Sequence, residues 1–531
     1  MSSSFSLQMG QSIQMPDGMN LNADILLPHG MEAVPVLLTL TPYTTDYAYP
    51  MASRYAREGF AVIIVDVRGR GRSEGFFDLY NDGDDGATCV DWVAAQPWCN
   101  GNVGLFGGSY AGLNQWTIAA RQPAALAALA PVCAPMPGLD ADGFNGLFPL
   151  YNARWSNFVR GRSLAPKLFA DDRFWSLLER EHFAKEGRVE HLLGVIGSDD
   201  PVLSQIIRGW EEPDNWITAV PSEDEFARIQ QPVLTLTGTA DNAQRGALEY
   251  RRRHLCARPD AQHWCIVGPW NHTGDRHPAP GSEALETGAR ASLDTTEWQC
   301  LLGFYKWALC GEPLPPAMQE HQTISYIAGT EAWAVPPDTA ARREQLQMDS
   351  PCQHIQNPQE QIALPTTNPE SGFARSLFDV LGGEKAEWSM DEIQADTALI
   401  WSSEPLVDAK TLLGTPSFSI DLEVVGGDVD VFALLVEVTT AGRATILSSD
   451  ARRLAPSAGF ETIQFDTFRF AARRIEAETR LSLVIGRIAS PSFQRPLHEA
   501  SSLRIELAHE PALRIDLPLY DPHEVKYVEI N

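Results

Sequence analysis

The chain is poor in positive charge. Its 531 residues carry 41 lysines and arginines against 69 aspartates and glutamates, a net charge of −28. A nucleic-acid partner would call for basic patches to meet phosphates, and so would an anionic membrane surface, so neither is expected. An acidic surface fits solubility and admits a cationic substrate without requiring one. Cysteines are few. The eight, at 89, 99, 133, 256, 265, 300, 310 and 352, form no C-x-x-C pair, which removes the common zinc and redox motifs. Cys133 and Cys265 stand in apolar, strand-like runs and read as buried thiols. No cluster has metal-ligand spacing, and neither G-x-G-x-x-G nor a P-loop is present. No metal and no cofactor is therefore expected. The opening residues, Met1-Ser-Ser-Ser-Phe-Ser-Leu-Gln8, hold no basic region and no apolar run. The expectation is a cytoplasmic protein without a secretory signal or membrane segment.

What is present is length and rhythm. The chain is long enough for two or three domains with sizeable cores. Residues 1–137 alternate strand and helix: Asn22–Leu27, Val34–Leu40, Ala61–Val65, Val103–Phe106 and Ala124–Val132 read as strands, with helices around Ala52–Glu58 and Gly86–Gln96. That βαβ order predicts a parallel sheet covered on both faces. Residues 138–226 break the order. They are rich in aromatics at helical spacing, including Phe144, Tyr151, Trp155 and Trp175, and predict a helical cap whose own core takes most of those rings. The sheet resumes over 227–318, with strands at Pro232–Gly238 and Trp264–Gly268 and an amphipathic helix over Glu286–Gly311. From 319 to 531 the texture is short alternating runs: Thr323–Ile327, Ser417–Val425, Val429–Thr439, Gln464–Phe470, Leu481–Ile488, Leu503–Glu506 and Arg514–Leu517. These predict a C-terminal β-sandwich.

Chemistry enters at Gly107-Gly-Ser-Tyr-Ala-Gly112, between an apolar strand and a helix-compatible stretch. A strand, a tight turn with serine at its tip and a helix make the layout of a nucleophile elbow. The helix start also points N–H groups at developing negative charge. The pattern is not the strict G-x-S-x-G, since Ala111 stands where the last glycine would be. A serine nucleophile needs a base, and the base needs an orienting acid, in the chain order Ser, Asp, His for this type of sheet. Asp241 and His272 each fall just past the carboxyl end of a predicted strand, where open parallel sheets bind ligands. Each has a plainer reading, Asp241 as a turn or helix cap and His272 as a surface histidine.

Together with Met15-Pro-Asp-Gly18, Thr41-Pro-Tyr43, Asp66-Val-Arg-Gly-Arg-Gly-Arg-Ser-Glu-Gly75 and Gly268-Pro-Trp-Asn-His272, these motifs resemble the CocE/NonD hydrolase family over nearly the full length. That family includes cocaine esterase, X-Pro dipeptidyl-peptidases and α-amino-acid ester hydrolases. Its elbow reads Ser-Tyr-x-Gly, so the displaced glycine is family-like. The resemblance implies an α/β-hydrolase domain with a helical cap, followed by a jelly-roll-like C-terminal β-sandwich. It implies a Ser109–His272–Asp241 triad and an oxyanion hole from the Tyr43 hydroxyl and the Tyr110 backbone N–H. Thr239 departs from the pattern, because the family usually has tryptophan two residues before the triad aspartate, often facing the acyl pocket.

The implied reaction is cleavage of an ester or amide bond in a small acyl or aminoacyl substrate through an acyl-enzyme. Two further readings stay open. One is an exopeptidase releasing X-Pro dipeptides, and the other is acyl transfer to an acceptor other than water. Family members that take α-amino acyl groups hold the ammonium with carboxylates near the cap. Asp140, Asp142, Glu211, Glu212 and Asp214 are the residues that could do so here; the plainer reading makes them solvated cap residues. The expected partner is a small ester, amide or short peptide, and the oligomeric state is not legible.

Overall fold

The computed structural model describes residues 4–30, 32–185, 188–196, 200–212, 219–272, 287–330, 332–336, 344–347, 362–363, 375, 381, 387–395, 399–488, 490, 493, 496, 502–505 and 513–529. Its N-terminal part is built on strands β1 (Phe5–Gln14), β2 (Asn20–Pro28), β3 (Val34–Thr41), β4 (Ala61–Asp66), β5 (Cys99–Gly108), β6 (Leu126–Val132), β7 (Val233–Ala240), β8 (His263–Asn271), β9 (Thr323–Ile327) and β10 (Ala332–Val335). They join in the order β1-β2-β4-β3-β5-β6-β7-β8-β9-β10, and the C-terminal strand Lys526–Val528 closes the edge. Pairing from β4 through β3 to β9 is parallel, and the outer pairs are antiparallel.

Side-chain alternation divides the central strands between two cores. Val62, Ile64 and Leu37 pack with Tyr55 of helix α1 (Tyr49–Arg57). Ile63, Val65, Val36 and Leu38 pack on the other face with Val90 of α2 (Gly83–Ala94) and Trp116 of α3 (Tyr110–Ala120). Both faces are apolar because both are covered, which is why these strands read as continuous apolar runs rather than alternating ones.

Between β6 and β7 lie α4 (Tyr151–Val159), α5 (Pro166–Phe169), α6 (Asp172–Ala184), α7 (Val189–Ile196), α8 (Pro201–Glu211) and α9 (Glu223–Arg228). Three starts are set by side-chain caps. Asp171 accepts from Phe174 N–H, Asp200 from Val202 and Leu203 N–H, and Ser222 forms a reciprocal capping box with Glu225. Their apolar faces close over Tyr110 and Leu113 of α3, together with Phe148, Phe158, Trp175, Leu203 and Ile206. This is the cap, seated on the helix that Ser109 begins. Helix α10 (Gln244–Ala257) follows β7, and α11 (Thr287–Cys310) covers the α1 side.

The C-terminal part is an antiparallel β-sandwich. A five-stranded sheet centred on Val429–Val438 and Arg443–Leu454 faces a sheet centred on Ser417–Val425. The core between them includes Trp401, Phe418, Val431, Leu435, Phe465 and Leu483. Thr323–Ile327, read from the sequence with the sandwich runs, pairs in parallel with β8 and completes the large sheet. Among the described residues no helix is long and apolar enough to cross a membrane.

Candidate active site

Ser109 sits between β5 and α3 at φ 58°, ψ −125°, a positive φ that a serine keeps only when its surroundings enforce it. The enforcement is local. Its N–H donates to the Val132 carbonyl at 2.8 Å, tying the turn to β6. Gly107, at φ 139°, makes room behind it: a Cβ there would lie 2.7 Å from Ala111 Cβ and 2.9 Å from Thr39 Oγ1. A Cβ on Gly112 would meet the Val132 carbonyl at 2.9 Å. The second glycine is thus required where α3 touches β6, three residues after Ser109. Ala111 is tolerated because Gly107 has no side chain.

His272 is the first residue beyond β8. Its Nε2 lies 2.9 Å from Ser109 Oγ, and its Nδ1 lies 2.7 Å from Asp241 Oδ1. Asp241, the first residue beyond β7, is fully buried. It also accepts from the Thr237 hydroxyl at 2.7 Å and the Ala243 N–H at 2.9 Å. Burial pushes its carboxyl up, but the His272 ring and these hydrogen bonds outweigh burial and hold it well below the usual carboxylate range.

Tyr43, just past β3, donates its hydroxyl to Ser109 Oγ at 3.3 Å and accepts from Trp155 Nε1 at 3.4 Å. Burial pushes the phenol up against hydrogen bonds to Ser109, Trp155 and the Tyr110 N–H. The hydroxyl therefore stays protonated, beside the first N–H of α3. The Tyr110 ring is stacked 5.5 Å from Tyr80 and 6.2 Å from Trp155, and its hydroxyl accepts from Tyr80 N–H at 2.8 Å.

The acidic residues singled out in the sequence do not converge. Asp140 lines the cavity over Ser109, but Oδ1 accepts from Met136 N–H at 2.7 Å and Oδ2 from Gly246 N–H at 2.6 Å. Asp142 is buried and accepts the Tyr80 hydroxyl at 2.6 Å. Burial pushes each of these two carboxyls up to about 7. Glu211 and Glu212 are exposed at the end of α8, away from the cavity wall. Asp214 lies outside the described residues.

The cavity, of about 880 Å³ including its open mouth, has Tyr43, Tyr110, Phe144, Tyr151, Trp155 and Arg245 in its wall. Cys133 Sγ lies within 4.8 Å of ligand atoms of Asp241 and His272. Both His272 nitrogens are already engaged, so His272 and Asp241 belong to the hydrogen-bonded relay before they could serve as metal ligands. Cys133 and Cys265 are buried.

Arg469 is the residue that sequence reasoning missed. It reaches in from the sandwich, fully enclosed, and donates Nη1 to the Asp241 carbonyl and Nη2 to the Thr239 carbonyl, each at 2.7 Å. Nearby, Gln244 exchanges hydrogen bonds with both backbone groups of Phe470, at 3.0 and 2.8 Å. The run Gln464–Phe470, expected as one strand, is in fact interrupted. A strand ends at Phe465, another begins at Ala471, and the break carries these contacts.

The family model for X-Pro dipeptidyl-peptidase (S15 family) matches residues 17–274. Cocaine esterase of Rhodococcus sp. is 27% identical over 304 residues, 51% of this chain and 49% of that protein. The chain spans about half the length of the curated relatives it matches. Among solved structures, an aminopeptidase from a marine sediment archaeon (Thaumarchaeota) superposes with a TM-score of 0.78 at 17% identity, over 98% of this chain and 97% of that one. An α-amino acid ester hydrolase gives 0.77 at 18% identity, over 98% and 97%. Likeness at that identity speaks for the shared fold, and the sequence matches make the chain similar to serine esterases and, over residues 17–274, to the S15 peptidases.

Proposed function

We infer that the chain cleaves esters of small acyl groups through an acyl-enzyme on Ser109. The observation that carries this reading is the unbroken hydrogen-bond relay from Ser109 Oγ through His272 to Asp241. His272 Nε2 takes the Ser109 proton as Oγ attacks the carbonyl carbon. The carbonyl oxygen becomes an oxyanion between the Tyr43 hydroxyl and the Tyr110 N–H. The same Nε2 then gives its proton to the leaving oxygen. In the second half His272 removes a proton from water, water displaces Ser109 from the acyl carbon, and the proton returns to Oγ. Asp241, ionised at any working pH, holds Nδ1–H toward itself and stabilises the imidazolium.

An ester is favoured over an aminoacyl peptide because, among the described residues, no free carboxylate faces the cavity. Asp140 has both oxygens on backbone N–H groups, and Asp142 supports Tyr80. The test is initial rates on p-nitrophenyl butyrate and on Ala-Pro-p-nitroanilide, with Ser109→Ala as the blank. Ester turnover should fall by about 10⁵-fold or more in the blank. Comparable or faster anilide turnover would make the chain an aminopeptidase. Absence of ester turnover together with no fluorophosphonate labelling of Ser109 would overturn the reading.

A further inference from the structure

Among the described residues, no carboxylate pairs directly with one cation in the cavity wall. Arg245, in the first turn of α10, is more than nine-tenths buried. Its Nε donates to the Thr467 carbonyl and its Nη2 to the Ser449 carbonyl, each at 2.7 Å, so the sandwich fixes the plane of the guanidinium. One face of that plane lies 4.0 Å over the Phe144 ring, another wall residue. Nη1 makes no hydrogen bond to the described residues, and no described carboxylate comes within ion-pair distance of the group. The acids around it are engaged elsewhere. Asp140 holds two backbone N–H groups. Asp450 accepts from Thr467 Oγ1 at 2.8 Å, Asn145 Nδ2 at 3.2 Å and Arg452 at 3.1 Å. Burial and the neighbouring Arg469 lower the Arg245 pKa to about 9, which still leaves it charged at neutral pH.

Burying a guanidinium with one arm unmatched is unfavourable in the empty protein. A ligand carboxylate arriving at that arm would recover the loss, and a fork already fixed in plane gives up little entropy in binding it. The surrounding charge argues for a purpose. A chain of net −28 repels anionic esters at long range, so a local cation is what a site would need to accept one.

The geometry points to Arg245 as a specificity-determining residue that receives a carboxylate of the substrate at Nη1 while the scissile carbonyl sits at Ser109. The preferred ester then carries a second, anionic end: a half-ester of a dicarboxylic acid, or an ester of a carboxylate-bearing alcohol. This deepens the esterase reading and rests on it.

The test compares kcat/KM for mono-p-nitrophenyl glutarate and p-nitrophenyl butyrate in wild type, Arg245→Met and Arg245→Lys. A third ester, butyrate of 4-hydroxybenzoate, places the carboxylate on the leaving side. Wild type should prefer one charged ester over the neutral one by about ten- to a hundredfold. Arg245→Met should abolish that preference, lowering the rate on the charged ester at least about tenfold more than the rate on the neutral one, and Arg245→Lys should keep part of it. Which charged ester wins identifies the acyl or the leaving side. No preference in wild type, or equal losses on charged and neutral esters in a folded Arg245→Met, would overturn the proposal. Should the methionine variant not fold, as judged by its melting curve, the wild-type preference and the lysine variant decide. Should no ester be hydrolysed, the esterase reading fails separately. Protection of Ser109 from fluorophosphonate by glutarate, compared with butyrate, then decides the carboxylate site. Stronger protection by glutarate that Arg245→Lys weakens supports it, and equal protection overturns it.

Discussion

On the proposed mechanism, the Tyr43 hydroxyl aimed at Ser109 Oγ matters most when the carbonyl oxygen becomes an anion. Tyr43→Phe removes that donor and leaves the ring packed against Phe158. The expected result is a fall in kcat of about 10²–10³, or roughly 2.7–4 kcal/mol, with KM within a few-fold of wild type. A loss confined to KM would assign Tyr43 to substrate packing instead. Asp142 makes a different residue-scale statement. Its folded pKa is raised to about 7 by burial, against 3.8 unfolded. The folded state therefore holds a proton that the unfolded state has lost between those two values. Its contribution to stability is fully present below the unfolded pKa and drains away as pH rises through the folded one. Melting temperature should fall between pH 4 and 7 more steeply in wild type than in Asp142→Asn, which keeps an acceptor for the Tyr80 hydroxyl. Parallel curves would refute the assignment. Among residues, the proposed triad could be read because the candidate nucleophile, acid and base each follow an apolar strand run, and the structure brings the three within hydrogen-bond distance. Arg469 could not be, since it lies 228 residues from Asp241 in sequence and no local pattern marks an arginine that will bond two carbonyls.

The elbow works as an element because α3 lies against β6 without a side chain between them. Gly112→Ala would set a methyl 2.9 Å from the Val132 carbonyl and 3.2 Å from Ala134 Cβ. Neither neighbour can yield cheaply, one being backbone and the other fixed in the core. The helix start must tilt, carrying Ser109 and the Tyr110 N–H away from His272 and Tyr43. Overpacking of this kind costs about 1–3 kcal/mol, so a lower melting temperature and a reduced kcat should appear together, measurable by thermal melting and ester hydrolysis. Wild-type values for both would mean the glycine is dispensable. Elements were legible in proportion to their burial on both faces. The strands β3 to β8 are continuous apolar runs. β1 was not read because most of its residues are exposed at the sheet edge, polar and apolar alike, with Leu7 and Met9 among them. The twelve-residue strand Arg443–Leu454 hid because its buried positions include Ser448, Ser449 and Asp450. The Ser448 hydroxyl donates to the Arg469 carbonyl, the Ser449 carbonyl accepts from Arg245, and Asp450 accepts from Asn145. β9 looked like a sandwich strand because it is short, and only pairing with β8 tells the two apart.

At the scale of the molecule, the sandwich is built into the frame of the proposed site. Its last strand, Lys526–Val528, pairs with β10 of the large sheet, and its segment 466–470 holds both ends of the turn that carries Asp241, the proposed triad acid. The Asp241 carboxylate is positioned by its own backbone, and that backbone is positioned by Arg469. Arg469→Met would remove a donor from each of the Thr239 and Asp241 carbonyls, the second keeping the Gln244 N–H at 3.1 Å, and Arg469→Lys restores charge but cannot span both. The turn then loosens, and the Asp241–His272 hydrogen bond weakens. An imidazolium less well supported by its aspartate has a lower pKa, so the acid limb of the kcat/KM profile on p-nitrophenyl butyrate should move to lower pH. Turnover should drop by about ten- to a hundredfold, equivalent to roughly 1.4–2.7 kcal/mol, with KM little changed because neither Thr239 nor Asp241 lines the cavity. Lysine should recover part of the rate and part of the shift. A purely structural arginine would lower the melting temperature and the amount of active enzyme, yet leave the limb where it was. The position of that limb therefore separates an arginine that tunes the triad from one that only glues two domains together.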